Sequence, residues 1–194
     1  MSSDNMSYLE QQAQAEKNAP TETEMIYQGR IFDLRLDKIT GADGQVYKRE
    51  IIVHPGAVVM IPIDALGRIV LIQQWRRAAG QIMIELPAGT LEKGEEPRQC
   101  AQRELQEEIG FISDKLTDLG GFFSAPGFCT EYLYLFLAEE LRPDKLAPDE
   151  REYIEILPTF AEEALQMIER GEICDAKTVA GITRYYLRQE LGLK

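Results

Sequence analysis

The order of hydrophobic and polar residues along the chain predicts strands interrupted by helices. Two short turn sequences, "GADG" at 41–44 and "ALG" at 65–67, each separate strand-like runs, as expected for hairpins. The strand-like runs are rich in branched and aromatic residues and occupy 25–40, 45–53, 57–64, 68–75, 82–89, 116–125, 131–141 and 151–158. This mixture indicates an α/β fold in which helices cover a mixed sheet.

Three further stretches space their apolar residues as helices do. The first covers residues 97–109: it begins with a proline, which suits a first helical turn, and Gly110 suits the position just after the last turn. Residues 159–171 and 175–192 are amphipathic, and Asp175 is the predicted N-cap of the last helix.

Composition and charge narrow the classes of function. The chain has 194 residues, with 33 Asp and Glu against 21 Lys and Arg, so its net charge is −12 at pH 7. This charge opposes non-specific binding to nucleic acid or to an anionic membrane, and we expect neither as a partner. The three cysteines form no CxxC pair, the start shows no signal-peptide pattern, and no apolar run approaches about 18 residues. We therefore expect a soluble, cytoplasmic domain.

The stretch "RELQEEIG", residues 103–110, places three glutamates close together on one helix. At about 100° per residue, Glu104, Glu107 and Glu108 fall within an arc of roughly 100°, where each like-charge pair costs about 0.2–0.5 kcal/mol. Divalent cations would offset that repulsion and bridge to the phosphate oxygens of a substrate. The alternative is a solvated acidic face.

A longer motif favours the metal interpretation. Gly89 is followed after five residues by Glu95, and after seven more by "RELQEEIGF". This 23-residue pattern resembles the Nudix box at every defined position. The resemblance implies a Nudix hydrolase with the Nudix fold, an α/β/α sandwich with a mixed β-sheet and an N-terminal antiparallel β extension.

The resemblance also implies roles for residues of the box. Arg103 would belong to the catalytic site and pair with Glu95, so that it holds the loop against the helix. Its planar guanidinium suits a carboxylate. Gly89 would let the backbone approach the metal closely. The catalytic Mg²⁺ ions, for which Mn²⁺ can substitute, would be bound by one backbone carbonyl and three carboxylates, those of Ala88, Glu104, Glu107 and Glu108.

Similarity beyond the box, over about residues 25–190, is to ADP-ribose pyrophosphatases. "QQWRRAAG", "IELPAGTLEKGE" and "GFFSAPGFCTE" carry it, with Pro126 fifteen residues after the box. This implies hydrolysis of a nucleoside diphosphate sugar, ADP-ribose first, to AMP and ribose 5-phosphate. Ala125 and Thr130 depart from the family pattern and leave the sugar open, so GDP-mannose or ADP-glucose is the alternative substrate. A non-catalytic nucleotide-sensing domain is a further alternative, which the intact box argues against.

The same similarity suggests how substrate is bound. Arg76 would lie near phosphate, Glu85 near the base or the terminal ribose, and Glu131 near a ribose. Related enzymes commonly dimerise, with the N-terminal region reaching the partner's pocket. We therefore expect a homodimer in which Arg30 and Phe32 contact substrate across the interface.

A glutamate in a late acidic loop deprotonates the attacking water in related enzymes. Matching "PDEREYIEI" to that pattern gives Glu152 this role, with Glu150 as the second choice. The alternative is that both are solvent-exposed loop residues without a catalytic role.

Trp75 is expected in the core rather than as a platform that stacks on the base of a nucleotide.

Three segments make up the predicted domain organisation. Residues 1–24 are polar and rich in Gln and Glu, so we expect a flexible or partly helical tail. Residues 25–55 form the N-terminal β-hairpin region, to which we assign dimerisation, and residues 56–194 form the Nudix hydrolase domain.

Overall fold

The computed structural model describes residues 6–147 and 153–193. The helices are α1 (Tyr8–Asn18), α2 (Pro97–Glu104), α3 (Ala161–Glu169) and α4 (Ala176–Glu190), and a π-helical turn, Leu105–Ile109, continues α2. The strands are β1 (Thr21–Gln28), β2 (Asp33–Thr40), β3 (Val46–Val53), β4 (Ala57–Pro62), β5 (Ile69–Arg76), β6 (Gln81–Glu85), β7 (Ala88–Thr90), β8 (Phe111–Phe123), β9 (Tyr132–Pro143) and β10 (Ile154–Thr159). Within the described ranges, no helix is both long enough and apolar enough to cross a membrane.

The chain divides into two compact units. The first unit comprises residues 1–54 and 125–130, and the second comprises residues 55–124 and 131–194. The break after residue 54 lies next to the predicted boundary. The return of 125–130 to the first unit was not predicted, because sequence patterning assigned the start of that segment to a strand of the main domain.

The first unit contains an antiparallel sheet in the order β1-β2-β3. The strand predicted over 25–40 is two strands, because the chain turns at Gly29, whose N–H donates to the Phe32 carbonyl at 3.1 Å and to Asp33 Oδ1 at 3.2 Å. The tail predicted for residues 1–24 contains α1 and the first residues of β1.

Local sequence explains how α1 begins and how β2 meets β3. The Ser7 side chain accepts from the Glu10 N–H, and the Glu10 carboxylate accepts from the Ser7 N–H, which is a complete capping box. In the predicted hairpin turn, the Gly41 N–H donates to the Gln45 carbonyl at 2.9 Å, and Gly44 has a φ of 78°. A glycine suits that left-handed conformation, so the "GADG" prediction is confirmed.

The second unit contains two sheets. One has the order β7-β4-β9-β8, with β4 and β9 parallel and the other pairs antiparallel; the other has the order β10-β5-β6 and is antiparallel. The predicted mixed sheet is therefore confirmed. Strand β8 begins at Phe111, five residues before the strand predicted there, because it follows the box helix directly.

Strands β4 and β5 are buried on both faces, and their side chains alternate between two cores. Val58 and Met60 pack with residues of α2, whereas Val59 and Ile61 pack with residues of α3 and α4. A strand covered on both sides has a continuous apolar sequence, as "AVVMIP" does. Helices thus lie against both faces, which confirms the α/β/α sandwich.

Candidate active site

The box helix was predicted to span residues 97–109, and it does, but its last turn is wider than an α-helix. Pro97 lies in the first turn of α2, and the Gly110 N–H, after the π-helical turn, donates to the Leu105 carbonyl. Gly110 closes the helix with a φ of 77°, as predicted. Because a π-helix turns less per residue than an α-helix, Glu107 and Glu108 are shifted around the helix axis relative to Glu104.

Arg103 is the centre of the charged cluster. Its Nε and Nη2 donate to Glu95 at 2.9 and 3.0 Å, which is the predicted pairing. Its Nη1 donates to Glu104 Oε1 at 2.6 Å and to Glu107 Oε2 at 3.0 Å. The hydrogen bonds from Arg103 lower the pKa of Glu95 to about 2, and the carboxylates of Glu95 and Glu104 in turn raise the pKa of Arg103.

This arrangement explains how the helix tolerates its acidic residues. The guanidinium of Arg103 stands between the carboxylates of Glu104 and Glu107 as a shared cation, so two predicted metal ligands converge on one positive charge. Among residues 6–147 and 153–193, no three His, Cys, Asp or Glu side chains converge as a metal site. The donor set is nonetheless all oxygen, which suits Mg²⁺ and Mn²⁺.

Gly89 is required by a close approach rather than by its backbone angle. A Cβ built at Gly89 would lie 1.9 Å from Glu104 Cδ and 2.0 Å from Glu104 Oε1, so any side chain there would displace that carboxylate. Next to it, the Ala88 N–H donates to Glu108 Oε2 at 2.9 Å. Strand β7 therefore lies directly against the glutamates of the box.

A second charged group joins β5, β6 and α4. Arg76 donates from Nε and Nη2 to the two oxygens of Glu85, both at 2.7 Å, and Lys177 Nζ also bonds Glu85. Glu85 is only 1% exposed. Burial acts to raise its pKa, but the hydrogen bonds from Arg76 and the charge of Lys177 outweigh burial and lower it.

Comparison with known proteins decides the family. The NUDIX domain family model matches residues 53–181, which is more than half of the chain. The chain belongs to the NUDIX domain family. The matched region contains the box with the Arg103 cluster, the second charged group of Arg76, Glu85 and Lys177, and the N-terminal part of α4.

Relatives of this Nudix protein carry several kinds of name, among them a GDP-mannose pyrophosphatase of Yersinia pestis that is 34% identical over 76% of this chain and 78% of its own length. An ADP-ribose pyrophosphatase of Bacillus subtilis is 40% identical over 87% of this chain and 92% of its own length. A methanol dehydrogenase activator of Bacillus methanolicus is 39% identical over 89% of this chain and 94% of its own length. A crystal structure titled ADP compounds hydrolase has a TM-score of 0.77 and 22% identity over 89% of this chain and 95% of that one, which shows a shared fold.

The remaining predicted site residues of the Nudix chain lie in different places. Arg30 is exposed and Phe32 is 40% exposed, both in the first unit between β1 and β2. Glu131 is half-buried in the second unit and its carbonyl accepts from the Ser124 N–H. The predicted general bases, at 150 and 152, lie outside the described residues.

Two features of this Nudix site were not predicted from the sequence, and the prediction for Trp75 was wrong. The bond between Arg103 and Glu107 spans four residues of one helix, a spacing that signals an ion pair. Lys177 lies 92 residues from Glu85, and no local pattern links them. Trp75, predicted in the core, is 59% exposed, because it is near the end of β5, beyond the helices that cover the sheet's centre.

Proposed function

We propose that this protein is a Nudix hydrolase that uses Mg²⁺ to hydrolyse the diphosphate of nucleoside diphosphate sugars, with ADP-ribose preferred. Water would add to one phosphorus, breaking the bridging P–O bond and giving AMP and ribose 5-phosphate. The observation that carries the proposal is the complete Nudix box, in which Glu104 and Glu107 of the box helix both contact the guanidinium of Arg103. The similarity to an ADP-ribose pyrophosphatase supports the substrate class.

The residues that would hold the metal ions are the predicted ones, Glu104, Glu107 and Glu108 with the carbonyl of Ala88. Bound Mg²⁺ or Mn²⁺ would neutralise the diphosphate and activate water. The protein's own contribution begins with Arg103, which holds two of these carboxylates on one side of the helix and ties them to Glu95 in the preceding loop.

Substrate binding and proton transfer fall to other residues. Arg76 would donate to a diphosphate oxygen, because its side chain is 41% exposed and its charge is close enough for Glu108 to help raise its pKa. Glu152 would accept the proton of the attacking water, with Glu150 as the alternative. Glu131 would contact a ribose.

The substrate proposal is tested by steady-state hydrolysis of ADP-ribose, ADP-glucose and GDP-mannose with Mg²⁺. We expect the highest kcat/KM with ADP-ribose, products identified as AMP and ribose 5-phosphate, and no turnover in excess chelator. A hexose-linked nucleotide preferred by tenfold or more would replace ADP-ribose as the substrate. No hydrolysis of any of the three would favour the alternative of a non-catalytic nucleotide-sensing domain. One relative, from Bacillus methanolicus, is named as an activator rather than as a hydrolase.

We also propose a homodimer formed through the first unit, with Arg30 and Phe32 contacting substrate across the interface. All eight residues of β1 are exposed. Large apolar side chains stand exposed in this unit, a feature typical of interaction surfaces. Those on or next to the three strands include Met25, Ile26, Tyr27, Ile31, Phe32, Val46 and Tyr47. A cytoplasmic location stays a prediction from composition.

Sedimentation velocity of the full chain tests the dimer. We expect a species of twice the 22.0 kDa chain mass at micromolar concentration. Ile31→Asp, at a side chain 55% exposed in the first unit, should shift the protein to monomer, because it puts a charge into the apolar surface. Leu66→Asp, 68% exposed in the second unit, is the matched control and should leave the mass unchanged. A wild-type monomer would contradict the proposal.

A further inference from the structure

We propose that Glu85 and Lys177 are positioning residues, which fix the guanidinium of Arg76 in the orientation that receives the substrate's diphosphate. This inference rests on the proposed function and replaces the predicted contact between Glu85 and a base or ribose. Lys177, the third member of the group, would then increase substrate affinity. It lies on α4, far from the box in the sequence.

The two ends of the Arg76–Glu85 pair differ in their access to solvent. The Glu85 side chain is 1% exposed, whereas that of Arg76 is 41% exposed. Both oxygens of Glu85 accept from Arg76 at 2.7 Å in a bidentate fork, which uses Nε and Nη2 of the arginine. Within the described residues, Nη1 of Arg76 makes no hydrogen bond, so a ligand can reach the arginine but not the glutamate.

Lys177 locks the carboxylate from the other side. Its side chain is 13% exposed, and its Nζ bonds both Glu85 and, at 2.9 Å, Oδ2 of Asp175. Asp175 is the N-cap of α4 and accepts from the Thr178 N–H at 3.0 Å. Thr178 Oγ1 in turn accepts from the Leu86 N–H at 2.8 Å, so the end of β6 is tied to the start of α4.

The alternating charges along this chain of contacts indicate what it is for. The group has two carboxylates and two cations, so its charges balance. Its most exposed member is Arg76, whose pKa is raised first by Glu85 and also by the nearby charge of Glu108 on the box helix. Buried ion pairs are weak contributors to stability. Holding an arginine tip in place before substrate arrives removes the loss of side-chain freedom on binding, and so raises affinity.

A double-mutant cycle tests the inference. We expect Glu85→Gln to raise KM for ADP-ribose at least tenfold while kcat changes less than threefold, because metal and base are untouched. Lys177→Met should raise KM at least threefold. In the Arg76→Gln background, adding Glu85→Gln should change KM less than twofold, since the residue through which Glu85 acts is already gone. An equal rise in both backgrounds, or no change in KM with Lys177→Met, would overturn the inference.

The control is a comparable ion pair elsewhere in the second unit. Asp64 accepts from Arg68 Nε at 2.7 Å in the turn between β4 and β5, and Asp64→Asn should leave KM unchanged. Thermal unfolding of each variant separates loss of fold from loss of positioning, and Lys177→Met carries the test if Glu85→Gln does not fold.

A binding measurement separates this inference from the proposed function. Calorimetric titration with ADP reports diphosphate binding whether or not the protein hydrolyses a nucleotide sugar. ADP affinity should fall at least tenfold in Glu85→Gln and stay unchanged in Asp64→Asn. Failure of hydrolysis in the wild type, with this pattern of ADP affinities intact, would remove the proposed reaction and keep the positioning role. Equal ADP affinity in wild type and Glu85→Gln, or no ADP binding at all, would remove the positioning role.

Discussion

Replacing Glu108 by glutamine should abolish hydrolysis while leaving the fold intact. The glutamine keeps an oxygen that can accept from the Ala88 N–H, the 2.9 Å bond that joins β7 to the box helix. It removes the negative charge that a divalent ion needs. Because a bound metal supplies several kcal/mol of transition-state stabilisation, we expect turnover to fall by on the order of 10³-fold or more.

The measurement is kcat with saturating ADP-ribose, together with calorimetric titration of Mg²⁺ or Mn²⁺. Glu96→Gln is the matched control: it removes the same charge at the N-cap of the same helix, where the side chain caps no N–H, and should keep normal turnover. In metal-free buffer the Glu108 variant should be as stable as the wild type or more stable by a few tenths of a kcal/mol, about the size of one like-charge pair. Near-normal activity would show that Glu108 is not a metal ligand.

The box was the part of the site that sequence described best, because its chemistry is local. The places of Pro97 and Gly110 are set by neighbours within a few turns, and each lies where it was expected. The pairing of Arg103 with Glu95 followed from the family pattern. What local spacing did not reveal was the width of the last turn, which shifts Glu107 and Glu108 relative to Glu104.

The rest of the site depends on contacts between distant parts of the chain. Lys177 is next to Glu85 only because α4 packs on the same face as the end of β6, and that packing involves four strands, β4, β5, β8 and β9, together with α3 and α4. The exposure of Trp75 is of the same kind: the strand pattern is correct, but which part of β5 the helices cover is a tertiary property. Periodicity predicts faces of elements, not their neighbours.

The order of charges in the two ion-pair groups suggests a common design. In each, one arginine is held by a carboxylate in a bidentate fork, Arg103 by Glu95 and Arg76 by Glu85. The first arginine contacts the box carboxylates, and the second, whose Nη1 makes no hydrogen bond within the described ranges, would bind a ligand near Glu108. One group would organise the metal ligands and the other the diphosphate, so that metal affinity and substrate affinity can be changed separately by mutation.

Replacing Glu152, the proposed general base, should have the second large effect. We expect Glu152→Gln to lower kcat at least a hundredfold while KM for ADP-ribose changes little. A positioned general base contributes about 10²–10⁴-fold, and the amide cannot take a proton from water. The residue lies outside the described part of the chain, but the chain on both sides of it is fixed. The Leu146 N–H donates to the Gln106 carbonyl of the π-helical turn at 3.2 Å, and Ile154 pairs with Gln74 of β5.

The nearest described residues before the two candidate bases contact the box helix. Leu146 is bonded to the turn that carries Glu107 and Glu108, and position 152 follows it by six residues in the sequence. Position 150 follows it by four residues, so only mutation separates the two glutamates. Glu150→Gln is therefore the matched variant: it should retain kcat within about threefold if Glu152 is the base. A hundredfold loss in Glu150→Gln with normal kcat in Glu152→Gln would exchange the two assignments, and normal kcat in both would remove the base from this segment.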